Sequence, residues 1–102
     1  MQHPWSRVVV AVMWVTVSTA ALPADSNLGR DVAANCANCH GTDGRSRGII
    51  PALAGKDRAT LVRQLTEFRD GNRPSTVMQQ LAKGYSDAQI EAAAAYFAAQ
   101  NP

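Results

Sequence analysis

Apolar side chains recur at helical spacing in three stretches of this chain. Leu28, Val32 and Cys36 fall four apart on one stripe, which predicts a helix over about Asn27 to Cys36 with Asp25 or Ser26 as its cap. Gly29 within it costs about 1 kcal/mol against alanine, a sign that another backbone passes close by. A second helix is predicted from Arg58 to Asp70, capped by Asp57, stopped at Gly71 and followed by Pro74. Leu61, Leu65 and Phe68 line its apolar face, with Val62 beside them. The third opens at Ser86, where Gln89 three residues on completes a capping box, and runs to about Ala99. Ile90, Ala94 and Phe97 form its stripe and Tyr96 lies at the flank. No run of alternating β-branched residues suggests a sheet, and no internal repeat or interdomain linker breaks the pattern, so the expectation is one all-α domain.

Two connections rich in turn residues separate these helices. One spans Gly41 to Gly55 and holds Thr42-Asp43-Gly44, Gly48 and Pro51; the other spans Gly71 to Tyr85 and holds Pro74, Met78 and Lys83-Gly84. The second has room for a short helical turn over Gln79 to Ala82, with Met78 in the loop before it. Connections this long in so small a frame serve a function or wrap around something.

The N-terminus follows different rules. Met1 to Arg7 is short, polar and positively charged, and Val8 to Ala21 is apolar apart from Thr16, Ser18 and Thr19. Fourteen helical residues reach about 21 Å, short of the roughly 30 Å hydrocarbon core. This is the pattern of a secretory signal peptide cleaved after Ala21 or Ala24, and the competing reading is an uncleaved anchor. The expected organisation is therefore a leader over 1–24 and a domain over 25–102, exported to the periplasm without stable membrane insertion.

With the leader gone, one histidine, His40, and one methionine, Met78, remain. The 46% hydrophobic content is that of a folding chain, and a formal charge of +2 from ten basic and eight acidic residues gives no concentrated basic face for nucleic acid. A domain this small has a thin core and calls for a metal, disulfides or a bulky cofactor. Cys36-Ala37-Asn38-Cys39-His40 supplies the means, because C-x-x-C-H is the attachment pattern for c-type haem. Two thiols three positions apart reach the two vinyl groups, and the histidine that follows is held beneath the iron. Rival readings explain less. A structural zinc site needs four ligands and the domain offers three nitrogen or sulfur side chains. A thioredoxin-like pair needs a βαβ setting, and a plain disulfide leaves His40 idle. Met78 is the natural second axial ligand, as methionine opposite histidine raises the potential in cytochromes c; its bland alternative is a core filler. Two protein ligands close the coordination sphere and point to electron transfer.

From these residues the chain resembles a class I cytochrome c over about residues 28 to 99. The resemblance implies that fold, three main helices wrapped around one covalently bound haem c. It implies that Pro51, in Gly48-Ile49-Ile50-Pro51-Ala52-Leu53-Ala54-Gly55, accepts a hydrogen bond from the Nδ1–H of His40, where the alternative is a simple turn proline, and that Leu53 packs on the porphyrin. It also implies a crossing of the first and last helices with Gly29 and Val32 against Tyr96 and Phe97; Val32 stands where the family usually has an aromatic. Glu67-Phe68-Arg69-Asp70-Gly71, Arg73-Pro74-Ser75-Thr76-Val77-Met78 and Ala82-Lys83-Gly84-Tyr85-Ser86-Asp87 resemble, more narrowly, the single-haem cytochrome subunit of flavocytochrome c sulfide dehydrogenase. That likeness implies a non-catalytic haem subunit taking electrons from a flavoprotein. The competing function is a free monohaem carrier serving a terminal oxidase. Arg45, Arg47, Lys56, Arg58 and Arg73 either surround the haem edge or form ordinary solvated faces.

Overall fold

Local chemistry sets where two of the helices begin. In the computed structural model, which describes residues 11–18 and 27–102, the Asp57 carboxylate accepts the Thr60 backbone N–H at 2.9 Å and opens α2, Arg58–Arg69. Ser86 and Gln89 exchange both bonds of a capping box and open α4, Asp87–Ala98. Such caps are each worth on the order of 1 kcal/mol. Gly71, just past α2, takes the left-handed φ of 77° that turns the chain away.

The first helix departs from its expected span. α1 covers Leu28–His40 and so runs four residues past Cys36, carrying the whole cysteine–histidine motif. Asn27 is its N-cap residue and makes no side-chain capping bond; Asp25 and Ser26 lie outside the described residues. Met78 is also relocated. The short turn expected over Gln79 to Ala82 is present as a five-residue helix, α3, Met78–Ala82, and takes in Met78 as its first residue instead of leaving it in the loop. A single 3-10 turn, Thr42–Gly44, follows α1, and the described residues contain no strand.

α4 is the central element, packing against both α1 and α2, while α3 leans on α2. Ala33 from α1, Leu61 from α2 and Ala94 and Phe97 from α4 form the buried cluster, with Cys36, Leu53, Val62 and Tyr96 packed half-buried around it. Phe97 meets the Tyr96 ring edge-on at 5.6 Å. Leu65 and Phe68, expected on the buried face of α2, are only half-buried. Among the described residues, Val32, Leu61, Ile90 and Phe97 are the only buried apolar side chains larger than alanine.

Small residues allow the α1–α4 crossing. A Cβ at Gly29 would lie 2.5 Å from the Ala92 carbonyl oxygen and 3.4 Å from Tyr96 Cβ. The contact predicted for Gly29 is therefore made chiefly to the Ala92 backbone. Because that neighbour cannot swing aside, Gly29→Ala is expected to destabilise the protein by about 1–3 kcal/mol despite alanine's better helix propensity. Gly48→Ala, where nothing lies within 4 Å, serves as control with a change within about 0.5 kcal/mol. Denaturant midpoints of the two variants check this.

Candidate functional site

Continuation of α1 to its last turn puts the motif on one face: Cys36 and Cys39 stand at i and i+3, Cys36 and His40 at i and i+4. Cys36 is half-buried and donates to the Val32 carbonyl at 3.6 Å, and its burial pushes the thiol above its ordinary pKa. Cys39 is exposed, and both thiols are free.

Past His40 the chain is folded back sharply. Gly41 adopts φ 83°, and a Cβ there would lie 2.8 Å from Ser46 N. Asp43 is the one non-glycine residue with positive φ among those described, at 52°. Its carboxylate takes the Tyr96 hydroxyl at 2.5 Å and Arg45 at 3.3 Å, and Arg45 Nε reaches the Asn101 carbonyl at 2.7 Å. The Gly44 carbonyl then accepts from Leu53 N at 2.8 Å and Ala54 N at 3.2 Å, closing the neck of the loop. Pro51 sits just before that neck, and its carbonyl oxygen lies 2.6 Å from His40 Nδ1. A carbonyl only accepts, so the hydrogen is on Nδ1 and the Nε2 lone pair is left for another partner.

The remaining residues singled out in the sequence occupy two further places. Leu53 is half-buried against the central cluster that Cys36 also touches. Met78, half-buried, is positioned by α3 and hence from the α2 side of the molecule. Large apolar side chains near Pro51 and Met78 in the chain are open to solvent: Ile49 fully, Ile50 at 39%, Val77 at 53% and Leu81 at 50%. Two thiols and an imidazole on one helix face, with apolar side chains left uncovered nearby in the sequence and a core poor in bulk, fit a large apolar metal cofactor. They do not fit a zinc site, since no cluster of three or more His, Cys, Asp or Glu side chains able to hold a metal occurs among the described residues. Of two surface hollows of about 200 and 550 Å³, the first is lined by Arg45, Arg47, Pro102 and by Ala52 and Ala54 of the loop that carries Pro51 and Leu53, the second by Arg58, Arg63 and Glu91.

Three of the five basic residues considered for a charged edge are tied into surface ion pairs. Arg45 pairs with Asp43, Arg58 with Glu91 at 2.8 Å, and Arg73 with Glu67 at 3.2 Å. The Asp43–Tyr96 bond and the Arg73–Glu67 pair were not read from the sequence. No local pattern announces the first, which joins residues 53 apart.

A strandless helical frame that ends its first helix in C-x-x-C-H, with a proline carbonyl on the histidine, is that of a c-type cytochrome. Residues 24–97 match the family described as "Cytochrome C oxidase, cbb3-type, subunit III", and the chain belongs to this family of cytochromes c, haem proteins of electron transfer. It is 41% identical over 78 residues to the cytochrome subunit of sulfide dehydrogenase of Chlorobaculum tepidum, covering 76% of this chain and 71% of that one. Similarity to cytochrome c-554(548) of Halomonas halodenitrificans is 36% identity, covering 74% of this chain and 96% of the relative. The solved cytochrome c4 of Acidithiobacillus ferrooxidans superposes with a TM-score of 0.67 at 34% identity, over 79% of this chain and 52% of that one. The class I cytochrome c fold expected from the sequence is thus the fold observed.

The Asp43 hydrogen bond, followed by burial, raises the Tyr96 phenol above its ordinary pKa. The sign follows: the folded protein favours the protonated phenol, so the pair stabilises the fold fully below about pH 10. That contribution is lost as the pH rises through the folded-state value. Carbon NMR of the Tyr96 ring should show a delayed alkaline titration, and Asp43→Asn should bring it to lower pH.

Proposed function

We propose that Cys36 and Cys39 carry one haem c through thioether bonds, that His40 and Met78 are its axial iron ligands, and that the chain is the haem subunit of a flavocytochrome c-type sulfide dehydrogenase. The observation that carries the site is the 2.6 Å approach of His40 Nδ1 to the Pro51 carbonyl. It fixes the tautomer, orients the ring and makes the imidazole a stronger donor from Nε2. When bound, the haem supplies a one-electron iron couple. The protein supplies the rest: two thiols on one helix face, an imidazole held from behind, and a thioether on a separate element. With both axial positions taken by side chains, none is left for a substrate, which suits relay and leaves the chemistry to a partner flavoprotein.

The subunit reading is supported by the likeness to the Chlorobaculum tepidum protein. A second reading, a free soluble carrier passing electrons to a terminal oxidase, is favoured by the near-complete coverage of the Halomonas halodenitrificans cytochrome. Residues 1–24 are read as an export leader and 25–102 as the cytochrome domain, placing the protein in the periplasm. In support, Val12, Met13, Trp14, Val15 and Val17 are 72–90% exposed and take no part in the core. No helix among the described residues is long and apolar enough to cross a membrane. The proposed cleavage points, after Ala21 or Ala24, lie outside the described residues.

Three measurements test this. The intact mass of the exported protein should correspond to a chain starting near Leu22 or Asp25 plus one haem; a bare peptide mass after expression with a working haem-ligation system overturns attachment. Met78→Ala should remove the long-wavelength sulfur-to-iron band and lower the potential by on the order of 100 mV, a fraction of the roughly 0.8 V that axial ligands span. If neither changes, Met78 is not the ligand. Gel filtration of the native preparation, following haem and flavin absorbance together, separates the two functions: coelution supports the subunit, and a flavin-free peak of monomer size the carrier.

A further inference from the structure

The segment from Asp70 to Val77, which joins α2 to α3, has no regular secondary structure, yet it is tethered at several points. Asn72 N donates to the Glu67 carbonyl at 2.8 Å as the chain leaves α2. The Arg73 guanidinium pairs with Glu67 Oε2 at 3.2 Å and lies 5.4 Å from the centre of the Phe68 ring. At its other end, the Arg73 carbonyl accepts the side-chain amide of Gln79 at 3.1 Å, and Gln79 N donates to Ser75 Oγ at 3.0 Å. Arg73 is thus held by α2 through its side chain and by α3 through its backbone. The residue on α3 that grips it, Gln79, is the immediate neighbour of Met78.

A helix of five residues is too short to be stable by itself, so the position of Met78 depends on what ties α3 down. We infer that Arg73 is a positioning residue for Met78: its bridge from Glu67 and Phe68 to Gln79 holds the thioether in place for the iron. The inference rests on Met78 being the axial ligand. It gives the loop a specific duty, to limit how often the sixth coordination position opens. An external ligand binds only the conformations in which Met78 has withdrawn, so its apparent affinity scales with their population. Loosening the bridge raises that population. A half-exposed ion pair and a cation–π contact are individually modest, which sets the size of the effect at roughly three- to tenfold in a binding constant.

Azide binding to the ferric holoprotein is the probe, read from the haem absorbance. Arg73→Gln is expected to tighten azide binding by roughly three- to tenfold and to weaken the sulfur-to-iron band. Arg73→Lys, which keeps a charge for Glu67 but loses the planar group over Phe68, should fall between Arg73→Gln and the parent protein. Gln79→Ala, which cuts the other end of the bridge, should act in the same direction and keeps the test open if Arg73→Gln does not accumulate. In a Met78→Ala background the Arg73 substitution should have no further effect. If Met78→Ala itself leaves azide affinity unchanged, the ligand assignment fails and this inference with it. If Met78→Ala tightens azide while Arg73→Gln and Gln79→Ala change only the melting temperature, the bridge is merely structural and the inference is overturned with the ligand assignment intact.

Discussion

The arrangement around His40 turns on a carbonyl oxygen that can only accept. Pro51, lacking an N–H, offers that oxygen to His40 Nδ1 at 2.6 Å, and a single proton placement satisfies both groups. Each feature of the preceding loop helps keep the oxygen there. Gly41 and Asp43 turn the chain through left-handed backbone, Asp43 is anchored by Tyr96, and the Gly44 carbonyl closes the neck on Leu53 and Ala54. The imidazole's free nitrogen is consequently directed by contacts that reach as far as α4. Disturbing α4 at Tyr96 should therefore be felt at the histidine through Asp43 and the loop.

The second constraint is scarcity of bulk. Five of the nine buried apolar residues among those described are alanines, and small residues let α1 and α4 approach until the Gly29 Cα faces a carbonyl. Close backbone packing replaces the interdigitating side chains of a larger core, but it buries little apolar area, and area is what drives folding. Meanwhile Ile50, Val77 and Leu81 are left partly open. A protein this size can tolerate that imbalance if a large apolar group completes the core, which is the physical reason a covalent porphyrin suits this fold. The same incompleteness ties stability to the cofactor: a tethered porphyrin would stay on the chain when it unfolds, and would stabilise the fold through the apolar area that it buries only in the native state.

Much of this was legible in the sequence, and the division between legible and hidden has a cause. The starts of α2 and α4 and the left-handed stop at Gly71 depend on residues within four positions of one another, so Asp57, Ser86-Gln89 and Gly71 announce them. The motif Cys36 to His40 is likewise a local pattern. The end of α1 is not legible in its apolar stripe, which stops at Cys36, whereas the helix continues to His40 and is capped by Gly41. The pinning of Asp43 by Tyr96 joins distant segments, and Arg73's double attachment needs α2 and α3 in register first. The short turn over Gln79 to Ala82 is legible too; its start is not, because Val77 makes no side-chain capping bond to mark Met78 as the first helical residue.

Charge adds a last step about partners. Every carboxylate among the described residues is engaged: Asp57 caps α2, and the others meet arginines. Among the described residues arginine takes all of the ion pairs, while Arg47, Lys56 and Lys83 form none. Long-range steering depends on summed unbalanced charge over a face, and three unpaired cations on a chain of formal charge +2 make a weak field, further screened beyond about 8 Å at physiological salt. On the proposed function, association with a redox partner would then draw mainly on short-range contact, where screening matters little. A cytochrome that relies on contact more than on attraction at a distance gains most from staying docked, and within the proposed function this asymmetry is an argument for the subunit reading over the diffusing carrier.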